Sequence, residues 1–281
     1  MSALSRLFRL EFNSAIIRYL LSFFYRPGNI YRIPFGSLRG LKLGYDRTIN
    51  FHAILGLWEQ DNFTLSNKIL TNLLLEKNKL VIYDIGANIG LFSLFFSKRK
   101  NADIFAFEAV PDTVEILKRN LALNATNNVT VLDKAVSDTN EGASFFVGHH
   151  HKSSLVKDWA SDRGTSNVQE IHVPSVKLDS FVEASNNAMP DFIKIDVEGG
   201  GNRVIEGLQN ILKINRPVLL FESHTAEEDE AVIGLLDSFN YRAFRVNNRK
   251  WVTNQKTNYK DPNGVWGTMF LVPQEKSLTF D

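Results

Sequence analysis

Ten residues, Val81-Ile82-Tyr83-Asp84-Ile85-Gly86-Ala87-Asn88-Ile89-Gly90, constrain this chain more than any other stretch. An apolar run ends at an acid, small residues follow, and a helical pattern begins. That is the strand–turn–helix setting of a nucleotide-type loop. Gly86 and Ala87 let the backbone approach a ligand closely, and Gly90 lets the next helix pack tightly on the sheet. Asp84 ends the strand, where the carboxyl ends of parallel strands line a crevice. A dinucleotide fingerprint needs glycine where this chain has Asn88 and Leu91. Without the second glycine a pyrophosphate is not admitted, and a carboxylate at Asp84 repels phosphate and attracts a cation. NAD is disfavoured on both grounds. Asp84, Gly86, Ala87, Asn88 and Gly90 are the first candidates for holding a ligand.

Phe105-Ala106-Phe107-Glu108 repeats the pattern, ending in an acid 24 residues after Asp84. An acid there can accept hydrogen bonds from both ribose hydroxyls. The two strand ends together ask for a ligand with a ribose, no phosphate and a positive charge, which describes S-adenosylmethionine. The competing reading is a turn that is glycine-rich for folding alone, with Glu108 a solvated strand end.

Around this nucleus, strands and helices alternate. Helices are expected at Ile89–Arg99, Pro111–Asn124, Asn202–Lys213 and Glu227–Phe239. Strands are expected at Asp103–Phe107, Val129–Leu132, Phe192–Ile195 and Pro217–Phe221, with a closing pair at Tyr241–Val246 and Gly267–Val272. Such alternation predicts an α/β fold with one doubly wound sheet of about seven strands. Residues 79–281 read as that domain. A polar insertion around 142–176 lies between and along two antiparallel strands, Ala143–Val147 and Glu170–Val176. Its length and polarity predict an exposed loop or lid carrying His149, His150 and His151. Three adjacent side chains diverge on any regular backbone, so those histidines are read as loop, not as a metal site. Residues 1–78 read as a mainly helical extension, extended only near Leu41–Leu43 and closed by a leucine-rich helix at Lys68–Lys77.

Composition limits the alternatives. At 281 residues and 44% apolar, the chain can bury an ample core. It has no cysteine, which excludes thiol catalysis, Cys-type zinc and disulfides and fits a reducing, cytoplasmic setting. A net charge of +1 calls for no nucleic-acid partner. Residues 4–25 are apolar but interrupted by Arg6, Arg9, Glu11 and Arg18, and the uncharged run Tyr19–Tyr25 is far short of the about 20 residues of a membrane span. No secretory signal pattern is present. The expectation for residues 1–26 is a basic, aromatic, amphipathic helix packed on the main domain or on a second copy in a homo-oligomer. The other reading lays it on an anionic membrane surface.

The sequence resembles the FkbM-type S-adenosylmethionine-dependent methyltransferases of the class I Rossmann-like superfamily, from about Gly56 onward. The resemblance rests on Asp84 to Gly90, Phe107-Glu108 followed by Pro111, Ala135-Val136-Ser137-Asp138, Lys177-Leu178-Asp179, and Ile193-Lys194-Ile195-Asp196-Val197-Glu198-Gly199. It implies the strand order 3-2-1-4-5-7-6 with the seventh strand antiparallel. It implies O-methylation of a hydroxyl on a sugar, glycan or glycosylated metabolite. It adds Ala109, Ala135 and Glu59 to the cofactor-binding set, with Glu59 near the methionine end. Two positions depart from the pattern: Ala109 replaces a proline, and Gly201 stands where an acid is usual. The second departure supports an alternative, a catalytically weakened cofactor-binding protein acting as partner or scaffold.

A sugar hydroxyl needs its proton removed by a base or a metal. Asp196 ends one strand with Glu198 two residues on, and Glu222 ends the next with His224 two residues on. Adjacent strands place all four at one end of the sheet. The leading expectation is His224 or Asp196 as base with Glu222 orienting. The competing one has Asp196, Glu198 and Glu222 offering hard oxygens to Mg²⁺ or Mn²⁺. Lys194 is expected to point across the sheet to a carboxylate as a buried structural pair.

Overall fold

The computed structural model describes residues 24–45, 51–147, 153–154, 169–185, 189–252 and 266–280. The amphipathic helix expected over residues 1–26 falls almost wholly outside them, as do His149, His150 and His151. Among the described residues no helix is long and apolar enough to cross a membrane.

The described chain opens with a hairpin, β1 (Ile30–Arg32) and β2 (Lys42–Gly44), followed by helices α1 (Phe51–Leu55) and α2 (Gln60–Glu76). The expectation of a mainly helical 1–78 is thus corrected for residues 30–44. Gly36 and Gly40 fall within the intervening turn, and β1 was the strand missed. Next come β3 (Leu80–Ile85), α3 (Leu91–Ser97), β4 (Ala102–Glu108), α4 (Pro111–Leu123), β5 (Val129–Asp133) and β6 (Ala135–Val136). The insertion supplies β7 (Ala143–Val147), β8 (Ser153–Ser154) and β9 (Gln169–Val173), an antiparallel trio in the order β8-β7-β9. Then follow β10 (Ser175–Val176), α5 (Leu178–Ser185), β11 (Phe192–Ile195), α6 (Gly201–Glu206), α7 (Gln209–Ile214), β12 (Val218–Ser223), α8 (Ala226–Phe239), β13 (Tyr241–Arg245), β14 (Lys250–Trp251) and β15 (Gly267–Pro273).

The central sheet runs β14-β13-β15-β12-β11-β3-β4-β5, with β15 antiparallel to both neighbours. Without β14 this is the order 3-2-1-4-5-7-6. Among the described residues the count is eight rather than seven, because the chain turns at Arg249, φ 54°, and pairs Trp251 with Phe244. Two residues are too short to show a period in the sequence. Helix Asn202–Lys213 is divided in two: the Asp179 carboxylate accepts the N–H groups of Asn210 (2.9 Å) and Ile211 (3.0 Å), starting α7 afresh.

Strand alternation gives the sheet two apolar faces. Ile82, Ile104, Phe192 and Leu220 pack under α2, α3 and the N-terminal hairpin. Tyr83, Phe107, Ile193, Leu219 and Phe221 pack under α5 to α8. Each such Leu, Ile or Phe contributes about 1.5–3 kcal/mol by leaving water. The hairpin is tied to α4 by side-chain amides: Asn124 bonds the N–H and carbonyl of Lys42, both at 2.7 Å, and the Asn120 carbonyl accepts the Gly44 N–H at 3.1 Å.

Candidate functional site

The parallel strands β3, β4 and β11 end at one edge of the sheet, and a cleft opens there. Its lining includes Gly86, Asn88, Glu108, Ala109, Ala135, Phe145, Asp196 and Glu198, and it is partly open to solvent.

The wall at β3 and β4 is made by backbone. The N–H groups of Gly86 and Ala87 bond the Phe107 carbonyl, at 3.0 and 2.9 Å. Gly86 has φ +71°, and a Cβ there would meet the Asp196 carbonyl oxygen at 1.9 Å, so only glycine fits. Asn88 turns at φ 50° and gives its N–H to Glu108 Oε2 at 2.8 Å. Glu108 Oε1 accepts the N–H groups of Ala109 and Val110, both at 2.9 Å. Burial pushes the Glu108 carboxyl up, against those three bonds that draw it down.

Four of the expected ligand-binding residues, Asp84, Ala87, Gly90 and Glu59, stand outside this lining. Asp84 is fully buried; its Oδ2 accepts the Ser93 hydroxyl at 2.6 Å and its Oδ1 lies 3.6 Å from Lys194 Nζ. The expectation that Asp84 reaches into the loop is corrected: register pairs it with Lys194 on the neighbouring strand, one layer below the cleft. Ala87 is buried in the core, and Gly90 is the N-cap of α3 against Leu117. Gly86, Asn88, Glu108, Ala109 and Ala135 do line the cleft. Phe145, from the insertion strand β7, and Lys134 line it too and were not singled out in the sequence. The Ala143, Phe145 alternation was the available signal for Phe145.

The opposite edge is made by side chains. Lys194 Nζ donates to the Gly86 carbonyl at 2.7 Å and lies 3.3 Å from Asp196 Oδ2. Burial alone would lower the lysine, but Asp196, Asp84 and Glu59 more than reverse that and hold it raised, hence charged. The structural pair expected for Lys194 is present, and two acids share it. Beyond it, His224 Nε2 lies 3.7 Å from Asp196 Oδ1, 3.7 Å from Glu222 Oε1 and 3.8 Å from Glu198 Oε2. All four acid–base candidates therefore meet. Burial, then the neighbouring Asp196 and Glu59 charges, push the Glu222 carboxyl well up. Glu59 joins from the start of α2: burial and Asp196 push its carboxyl up to about 7, while Asn62 and Lys194 pull it down.

A divalent ion would find Asp196, Glu198 and His224, whose ligand atoms lie within 4.8 Å of one another. Of the metal set expected from sequence, this group contains Asp196 and Glu198, with His224 rather than Glu222 as its third member. The charges of the lining favour a ligand with a cationic end. Glu108, Asp196 and Glu198 put carboxylates on the lining, and Lys134 is its one cation among the described residues.

A family model described as the methyltransferase FkbM domain matches residues 84–243. A methyltransferase named sdnD, from Sordaria araneosa, is 29% identical over 45% of this chain, which spans 60% of that relative's length. The hexuronic acid methyltransferase AglP of Haloferax volcanii is 26% identical over 69% of this chain and 77% of its own. A crystal structure of methyltransferase FkbM from Methylobacillus flagellatus KT aligns with a TM-score of 0.43 at 15% identity, covering 69% of this chain and 43% of that one.

Proposed function

This chain belongs to the FkbM methyltransferase family, and on that footing we propose that it moves a methyl group from S-adenosylmethionine to a hydroxyl of a sugar, glycan or glycosylated metabolite. The observation that carries the proposal is the meeting of His224 Nε2 with Asp196 and Glu222, 3.7 Å from each, beside a cleft whose far wall ends in Glu108.

When bound, the cofactor supplies a methyl group already activated on a sulfonium, so the chain has to align the acceptor and remove one proton. Glu108 accepts one ribose hydroxyl on the Oε2 lone pair left beside its three backbone bonds. The carboxylates of Asp196 and Glu198 favour the cationic end. His224 Nε2 takes the acceptor proton, and the flanking Asp196 and Glu222 stabilise the imidazolium that results. The proton leaves to solvent after transfer.

A hexuronic acid is the first acceptor to test, because AglP is named for one; neutral hexosides complete the panel. Calorimetry should find micromolar binding of S-adenosylhomocysteine and none of NAD. His224→Ala should keep that affinity within threefold and lower kcat by roughly 10²–10⁴. Binding of NAD alone overturns the cofactor, and full activity in His224→Ala overturns the base. A metal-assisted version has Asp196, Glu198 and His224 hold Mg²⁺ or Mn²⁺, which would acidify the acceptor hydroxyl. Undiminished turnover after exhaustive chelation ends that version.

A further inference from the structure

Glu228 lies in the first turn of α8, and its side chain is fully buried. The segment Thr225-Ala226-Glu227-Glu228 has the form of a capping box, and the structure makes both of its bonds. A box needs only the reach from Glu228 back to Thr225. Here the carboxylate does more. Oε2 accepts the N–H of Thr225 at 3.0 Å and that of His224 at 2.6 Å, while Oε1 accepts the N–H of Gly201 at 2.7 Å. Gly201 closes the loop that carries Asp196 and Glu198. His224 lies on the loop that follows Glu222. One buried carboxylate therefore ties the two loops whose side chains meet around His224 Nε2. The same Oε2 lies 3.8 Å from His224 Nδ1, on the other side of the ring.

The glycine at 201 has a matching cause. A Cβ there would stand 2.6 Å from the Phe221 ring and 2.8 Å from Glu228 Oε1. An acid at 201 has no room, because a carboxylate from α8 already fills that space.

We propose that Glu228 is a positioning residue for methyl transfer, which fixes His224 against Asp196 and supplies from α8 the carboxylate that the chain lacks at Gly201. This rests on the reading of His224 as the base. It answers the departure at Gly201: a carboxylate stands beside residue 201 without an acid at that position.

The test separates bridging from capping. Thr225→Ala removes the cap bond to the Glu228 N–H, at 3.2 Å, and leaves the bridge. Glu228→Gln keeps the volume but cannot accept from both loops at once. With the panel sugar that turns over fastest, Glu228→Gln should lower kcat at least tenfold, with acceptor KM and S-adenosylhomocysteine affinity within threefold. Thr225→Ala should lower the unfolding midpoint and keep kcat within twofold. Without any acceptor, the His224 ring resonances, assigned by their loss in His224→Gln, should shift in Glu228→Gln and stay in Thr225→Ala. Should Glu228→Gln not fold, Gly201→Ala displaces the same carboxylate from the other side and should show the same kcat loss. Wild-type kcat with unmoved His224 resonances in Glu228→Gln overturns the proposal, as does an equal kcat loss in Thr225→Ala. If His224→Ala stays active, the base reading fails instead; if it is inactive while Glu228→Gln is normal, only the positioning role fails.

Discussion

Glu108 and Asp196 both stand where a parallel strand meets the cleft, yet they are held by different means. Glu108 has three backbone N–H groups on its carboxylate, from Asn88, Ala109 and Val110. Asp196 has a lysine at 3.3 Å and a histidine at 3.7 Å. The first arrangement uses dipoles that the chain must place somewhere in any case, and it is finished once the turn has folded. The second uses charges that crowd one another, with Glu59 and Glu222 under the influence of the buried Lys194 and Glu198 beside His224. A wall of the first kind suits a ligand that binds the same way in every turnover. An edge of the second kind responds to whatever cation or proton arrives, which is what a reaction requires.

The contrast can be attacked first through Lys194. If charge holds the reaction edge, Lys194→Met leaves Asp84 buried and uncompensated and should cost about 3–5 kcal/mol in urea unfolding. A cost under about 1 kcal/mol would mean that packing, not charge, holds that edge. The wall is tested at Gly86. Gly86→Ala puts a Cβ against the Asp196 carbonyl at a left-handed backbone angle and should cost about 2–4 kcal/mol. It should also weaken S-adenosylhomocysteine at least tenfold, because the turn that places Asn88 and Glu108 moves. Tight binding in that variant would show the wall to be more pliant than its backbone bonds imply.

The same contrast explains what the sequence made readable. The turn from Asp84 to Gly90 and the strand end at Glu108 are local, so spacing and residue type exposed them. Lys194 could be paired with a carboxylate because register on adjacent strands is nearly as regular as spacing. That Asp84 turns to Ser93 and Lys194 instead of into the loop was not readable, because a strand-end acid gives no sign of which layer it faces until its partner strand is known. Glu228 shows the limit more plainly. Its capping box is written in four consecutive residues, but its bond to Gly201 spans 27 residues and depends on how α8 packs on α6. The meeting of His224 with Asp196, Glu198 and Glu222 was readable as two strand ends, whereas the part played by Glu59 needed the fold of the N-terminal segment. β14 and the division of α6 from α7 were hidden for a related reason: a two-residue pairing and a side-chain cap leave no period.

Glu59 offers the smallest effect and the finest test, since it reaches the charged edge from outside the strands. Burial and then Asp196 raise its carboxyl to about 7 from an ordinary 4.5. The fold therefore favours the protonated acid. The stability this lends is complete below the unfolded value of 4.5 and is lost as pH rises through about 7. Glu59→Gln mimics the protonated form and keeps a carbonyl to accept the Asn62 amide, which lies 3.0 Å from Oε2. The variant should melt with the parent near pH 5 and above it at pH 8. The side chain is only half-buried, so the gain at pH 8 is discounted to about 1 kcal/mol, or roughly 2–4 °C at this chain length. Differential scanning at both pH values reads it. A gain of equal size at pH 5 and pH 8 would mean that Glu59 is not coupled to the edge through its charge, and the side-chain-built half of the site would then stop at Asp196.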